Sequence, residues 1–191
     1  MLLLVALGGC SSIEVSNDYD ASASFAAYRT YAWVPKPEER TGDLRLDSPL
    51  LHDRIREAVE RHLAAKGYTK AESGSPDFLV TYHVAVKGKL NVSTISNYGY
   101  GPGYRGARMA GPGTTTYVHE YEEGSLLVDI VDPTKRQLVW RGTARAEVPP
   151  TSTPEERTAK IDEAVGKILE GFPPKPAGAR DRTPGAGPVA Y

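Results

Sequence analysis

Between Asp77 and Lys89 the side chains alternate: Phe78, Val80, Tyr82, Val84 and Val86 fall on one face, Thr81, His83 and Lys87 on the other. A period of two commits this segment to a strand with one covered and one wet face, because a slip of one residue would turn every apolar group toward water. Gln137 to Val148 repeats the pattern. Leu138, Trp140, Gly142, Ala144 and Ala146 alternate with Val139, Arg141, Thr143, Arg145 and Glu147. One wet face is the mark of an antiparallel sheet, and the small Gly142 and Ala144 leave room for a helix to lie close.

Two segments change to the helical period. Ser48 is suited to an N-cap and Pro49 to the first helical position, and Leu51, Ile55, Val59 and Leu63 then form one apolar stripe that Gly67 ends. Thr153-Pro154-Glu155-Glu156 fits a capping box, followed by Ile161, Val165, Ile168 and Leu169 and a stop at Gly171. Further strands are expected at Arg29–Val34, closed by Pro35, and at Thr116–Val131, with a turn over Asp132–Arg136. The order strand, helix, three strands, helix predicts an α+β fold. Its expected form is a two-layer sandwich, a largely antiparallel sheet with two amphipathic helices on one face. Apolar residues at 40% and charged residues at 25% of 191 supply one core for a single domain, expected over 25–172. Within it, residues 91–115, rich in Gly, Tyr and Pro, read as a long loop at a hairpin tip. Residues 173–191 hold too little apolar mass to pack and read as a disordered tail.

The N-terminus carries a different signal. Met1 to Gly9 is an apolar run too short to span a bilayer, and it ends in small residues before Cys10, the single cysteine of the chain. Leu7-Gly8-Gly9-Cys10 resembles the lipobox of bacterial lipoproteins, which implies a signal peptide over 1–9 and an acylated Cys10. The polar, small residues that follow read as a tether over 10–24, with room for a short strand at Ile13–Ser16. No Lys or Arg precedes the run, so basic residues are expected upstream. Ser11 follows the cysteine where inner-membrane retention would call for Asp. By resemblance to lipoprotein sorting, the expected location is the outer membrane, facing the periplasm.

The order of segments resembles a known group. Tyr28-Arg29-Thr30-Tyr31-Ala32-Trp33, the helix that ends in Ala65-Lys66-Gly67-Tyr68, Pro76-Asp77-Phe78-Leu79-Val80, Gly124-Ser125-Leu126-Leu127-Val128-Asp129, Leu138-Val139-Trp140-Arg141-Gly142 and Phe172-Pro173-Pro174 are similar to the bacterial lipoproteins filed as domain of unknown function 4136. The resemblance runs over roughly residues 13–174. It implies an envelope lipoprotein of Gram-negative bacteria and brings no catalytic residues with it. More loosely, the layout is similar to small periplasmic modules that assist envelope assemblies, an analogy of fold only.

Candidate chemistry is sparse. Gly101-Pro102-Gly103-Tyr104-Arg105-Gly106 spells a dinucleotide fingerprint but lacks the strand-to-helix setting that places phosphate on a helix N-terminus. His52 and His62 stand ten apart on one helix and cannot share a metal-binding face, whereas His83 and His119 lie on strands expected to be neighbours, where they could meet. Asp129 with Asp132, and Glu122 with Glu123, pair carboxylates in sequence, and Asp132 before Pro133 reads as a turn residue. No cofactor or metal is implied. The formal net charge of -1 gives no whole-chain field to recruit nucleic acid. What remains is the loop: Tyr98, Tyr100, Tyr104, Arg105 and Arg108 are residue types that anchor interfaces.

The reading is therefore a non-catalytic interaction or structural module. It is tied to the membrane through acylated Cys10 and meets an envelope protein partner. The alternatives are an envelope hydrolase using His83 or His119 with a carboxylate, and a carrier of a small apolar ligand. Each acyl methylene buried in a bilayer contributes about 0.8 kcal/mol, so a multi-chain anchor dominates attachment. Cys10→Ser is expected to move the exported protein from the membrane fraction to the soluble periplasmic fraction. A Cys10→Ser protein that still sediments with membranes would place the anchor elsewhere.

Overall fold

A computed structural model describes residues 13–35, 41–72, 74–97 and 113–175. In chain order the elements are β1 (Glu14–Tyr19), a 3-10 turn (Phe25–Ala27), β2 (Thr30–Trp33), α1 (Pro49–Ala65), β3 (Thr69–Lys70), β4 (Phe78–Asn97), β5 (Gly113–Asp132), β6 (Gln137–Val148) and α2 (Pro154–Glu170). The six strands form one mixed sheet in the order β1-β6-β5-β4-β2-β3. β1, β6, β5 and β4 pair antiparallel, while β2 runs parallel to both β4 and β3. The α+β class stands, with a sheet more mixed than expected.

Both helices form where their caps dictate. Thr153 Oγ accepts from the Glu156 amide and the Glu156 carboxylate accepts from the Thr153 amide, the reciprocal box that satisfies two orphan donors of α2. Ser48 occupies the N-cap of α1 in extended conformation, but its side chain makes no cap hydrogen bond. At the other end of α1, Gly67 takes φ +87, and the Gly67 and Tyr68 amides donate to Ala64 and Leu63 carbonyls. Glycine reaches that left-handed position without a Cβ clash, and the turn delivers Tyr68 into the core.

The core gathers Ile55, Val59 and Leu63 of α1, Val165, Ile168 and Leu169 of α2, and Phe78, Val80, Val128, Ile130 and Trp140 of the sheet, all 0–1% exposed. Its centre is aromatic. Phe78 stacks on Tyr28 and Tyr31 at centroid distances of 5.2 and 5.8 Å and meets Tyr68 edge-on at 5.4 Å. Phe172, just past α2, lies 5.6 Å from Phe78 and 5.2 Å from Trp140. Burial pushes the Tyr31 hydroxyl up to about 12, with the nearby Glu60 carboxylate adding to the shift. Asp77 fixes the start of β2, accepting from the Arg29 and Thr30 amides at 2.9 and 2.8 Å.

Three expectations need correction. The tether expected over 10–24 contains β1, which pairs with β6 from Glu14↔Arg145 to Tyr19↔Trp140, so the domain begins before residue 25. An alternating polar strand leaves little trace in hydropathy, and what holds β1 is the backbone of β6 together with the bare Gly171, where a Cβ would sit 2.6 Å from the Asn17 side chain. The loop expected over 91–115 is strand at both ends, since β4 runs to Asn97 and β5 starts at Gly113. Continuous pairing down to Asn97↔Gly113 satisfies backbone groups in a segment whose composition favours none. Finally, the alternation places Leu138 beside Trp140 on the covered face, yet Leu138 is 45% exposed while Val139 is buried at 4%. A bulge causes this: Ile130 faces Trp140 and Val131 faces Leu138, which leaves Val139 as the extra residue and reverses the alternation before it. Of the expected tail, residues 176–191 lie outside the described residues.

The space reserved by small residues is real. A Cβ on Gly142 would come within 2.5 Å of both Ile168 Cγ2 and the Trp140 ring. Gly142→Ala is expected to destabilise the domain by about 1–3 kcal/mol through overpacking. Trp140→Ala, which empties the site, is expected to cost about 3–5 kcal/mol. Urea unfolding of both variants checks the pair, and a neutral Gly142→Ala would mean that α2 does not press on β6 here.

Candidate interaction surface

β6 ends at Val148, opposite Glu122, while β4 and β5 continue. From Lys89 and Tyr121 outward the sheet narrows to a two-stranded arm, Lys89–Asn97 paired with Gly113–Tyr121. Alternation gives the arm two faces. Leu90, Val92, Val118 and Glu120 share one, and Lys89, Asn91, Tyr117, His119 and Tyr121 share the other. Leu90, Val92, Tyr117 and Val118 are 58–64% exposed, and the His119 and Tyr121 rings stack at 6.3 Å. At the base Arg45 donates to the Glu122 carboxylate at 2.8 Å, tying the segment before α1 to β5, and Lys89 lies 3.4 Å from Glu123. The arm thus springs from a braced root.

A second polar group occupies the odd-numbered face of the sheet. Arg141 on β6 forks onto Asp129 on β5, Nε to Oδ1 at 2.7 Å and Nη2 to Oδ2 at 2.6 Å, because the ladder sets the two residues directly opposite. Asp129 is 3% exposed, and its carboxylate holds the Arg141 guanidinium above its ordinary range. His83 Nε2 approaches Asp129 Oδ2 at 3.6 Å.

The residues singled out from sequence divide sharply. Cys10 and the loop residues Tyr98, Tyr100, Tyr104, Arg105 and Arg108 lie outside the described residues. His83 and His119 do not meet. His83 faces Leu127 and His119 faces Asn91, eight positions further along β4 and about 27 Å away at the rise of an antiparallel strand. Of the paired carboxylates, Asp132 caps its turn by accepting from the Lys135 and Thr134 amides, which hold its carboxyl below the usual range, and it stays apart from the Asp129 fork. His52 bonds Tyr82 Oη at 2.8 Å and His62 bonds Asp162 at 2.9 Å, so each binds a different element. Among the described residues, no three His, Cys, Asp or Glu side chains converge as a metal centre requires, and no helix is long and apolar enough to cross a membrane. Sequence reasoning missed the exposed apolar residues of the arm and the role of Arg141. The signal for the first was alternation continuing through Leu90 and Val92 into the segment read as loop.

The model of a protein family described as a domain of unknown function (DUF4136) matches residues 15–174. The chain belongs to this family. Its matched span opens within β1 and closes beyond Phe172, so the DUF4136 unit includes the edge strand and the aromatic closure. No curated protein matches the chain. Among solved structures it is similar to a PDZ domain protein from Parabacteroides distasonis, at 11% identity and a TM-score of 0.53, over 86% of this chain and 37% of that one. It therefore spans well under half of that protein, and the likeness concerns the fold alone. Weaker likenesses are to the PelC dodecamer from Paraburkholderia phytofirmans, at 10% identity and a TM-score of 0.46 over 83% and 95% of the two chains, and to a neuraminyllactose-binding hemagglutinin homolog from Helicobacter pylori, at 12% and 0.37 over 78% and 88%.

The fork on Asp129 makes a stability prediction. Arg141→Met leaves a buried carboxylate without its partner, at an expected cost of about 2–3 kcal/mol, below the ~3–5 of a fully buried pair because Arg141 keeps part of its hydration. Asp129→Leu combined with Arg141→Met is expected to recover most of that loss. Denaturant unfolding at neutral pH measures both, and equal losses in the single and double variants would show that the charge pair is not the cause.

Proposed function

We propose that this DUF4136 chain is a lipid-anchored envelope module, held at the outer membrane through acylated Cys10 and facing the periplasm, whose work is to bind a protein partner. The observation that carries this reading is the arm, which presents Leu90, Val92, Tyr117 and Val118 to solvent on a braced β-ribbon. Large apolar side chains exposed together on an ordered ribbon mark a contact surface. The proposed contact residues Tyr98, Tyr100, Tyr104, Arg105 and Arg108 fall in sequence between the two strands of that arm. In this reading the domain is a two-layer sandwich with both helices on the core-bearing face, supported by the single core that α1, α2 and the sheet share.

The rival reading, a hydrolase, draws on the 3.6 Å approach of His83 to Asp129. Arg141 already engages both oxygens of that carboxylate, which suits a fixed ion pair better than an acid or base that must exchange a proton.

Replacing residues 90–120 with an Asn-Gly turn between Lys89 and Tyr121 removes the arm and spares every core residue. Loop closure changes by only about 0.6 kcal/mol per halving of length, so the melting temperature is expected to hold and circular dichroism to lose only the strand contribution of the arm. Cross-linking in whole envelopes is expected to lose the partner bands that the unaltered protein yields. An unchanged band pattern would sink the assignment of the contact to the arm.

A further inference from the structure

The arm has an edge as well as faces. On the side away from β5, β4 pairs with β2 only as far as Trp33↔Val80, and among the described residues no strand lies beside it from Val84 to Asn97. The phase of that edge follows from one bond. The Val34 amide donates to the Val80 carbonyl at 2.9 Å, so Val80 turns its polar groups away from β5. N–H and C=O of one residue point to the same side of an antiparallel strand, and the side alternates with each residue. The β4–β5 register runs without a shift from Leu79 to Asn97. Even-numbered positions, including Val86, Gly88, Leu90 and Val92, therefore direct their amides and carbonyls outward.

We propose that two copies of this chain join along this edge, β4 to β4 and antiparallel, with the twofold axis at Asn91. In that register Leu90 pairs with Val92 of the second copy, and Val92 with its Leu90. Positions 88 and 86 pair with 94 and 96 in the same way, each pair exchanging two hydrogen bonds. Outward-pointing groups meet only outward-pointing groups, so no bond of the existing ladder is given up.

Charge narrows the choice of centre, and the exposed apolar residues complete it. Lys87 and Lys89 are the only charged residues of β4 from Val84 to Asn97. An axis at Gly88 would set Lys87 against Lys89 of the second copy, a like-charge pair directly opposed. An axis at Asn91 places the lysines opposite positions 95 and 93 instead. It also brings Val118, Val92 and Leu90 of the second copy into one row, merging two small exposed apolar patches into one. A twofold joint of this kind closes on itself, whereas an open edge of this length invites unlimited strand addition. The dimer goes beyond the partner reading above and does not depend on it. A partner band counts for the reading above only when its mass differs from twice that of the chain, whereas the dimer is read from the mass of the purified chain, so each can fail without the other.

The test uses the full chain in density-matched detergent. Sedimentation equilibrium is expected to give twice the chain mass. Val92→Pro deletes one outward amide and leaves the bonds to β5 in place, so the circular dichroism spectrum should persist while the mass falls to that of one chain. Asn91→Cys puts a thiol opposite its own copy in a non-hydrogen-bonded pair, with Cα atoms about 4.5 Å apart and within disulfide reach. With Cys10→Ser in every variant, so that no other thiol is present, mild oxidation should then yield a covalent dimer that neither the chain without an added cysteine nor Tyr117→Cys, on the other strand of the arm, produces. A single-chain mass without an Asn91→Cys dimer would overturn the proposal, as would a dimer that Val92→Pro leaves intact. If Val92→Pro does not fold, the two cysteine variants decide: equal cross-linking from both overturns this register.

Discussion

The domain is closed by a contact between aromatic rings far apart in sequence. Phe78 opens β4 and Phe172 follows α2, and their centroids lie 5.6 Å apart with Tyr28, Tyr31, Tyr68 and Trp140 packed around them. Through this cluster the approach to β2, the exit of α1, the start of β4, the middle of β6 and the end of α2 meet at one place. Each ring buries a large apolar area, and offset or edge-on geometry adds to the gain. With the cluster in place the helices have a fixed seat, since the seat of α2 depends on the bare Gly142 beneath Ile168.

Away from that cluster the molecule is held by paired charge. Asp162 on α2 accepts from Arg61 and His62 of α1, the Arg61 guanidinium first among the groups that lower its pKa, and Gly166 leaves the gap into which the His62 ring fits. Arg45 bridges to Glu122 at the base of the arm. On the odd-numbered sheet face Arg141 neutralises Asp129, which lets a carboxylate lie buried in the middle of a strand. The exposed pairs, Arg61–Asp162 and Arg45–Glu122, contribute little stability one by one, but they set orientation. The consequence for the arm is mechanical. Its root is locked by ladder, ion pair and core, while among the described residues its far part is paired only between its own two strands.

Much of the architecture was legible because its signals are local. The stripe of α1 with Gly67, the capping box of α2, and the alternation of β4 and β6 rest on residues within a turn or two of one another. The turn at Asp132–Arg136 was legible for the same reason. The candidate surface was legible only in part. Composition marks 91–115 as unusual but also hides two strands there, because Asn and Gly have weak strand preference and pair when a long partner strand is already in register. β1 resembles a tether for a like reason, all six of its residues being exposed.

Taken alone, the sequence determined the α+β class, both helices with their termini, the covered face of β4, and the burial of Trp140 beneath a helix. Hydrophobic period and cap chemistry suffice for these, being properties of neighbouring residues. Tertiary structure decided which strands neighbour one another, the parallel insertion of β2 beside β4, the bulge that exchanges Leu138 for Val139, and the pairing of Arg141 with Asp129 rather than His83 with His119. It also decided that β4 and β5 outrun β6, which leaves an arm with a bare edge. These features depend on register between distant segments, and register is set by the sum of core contacts across the whole sheet, which no local window of residues contains.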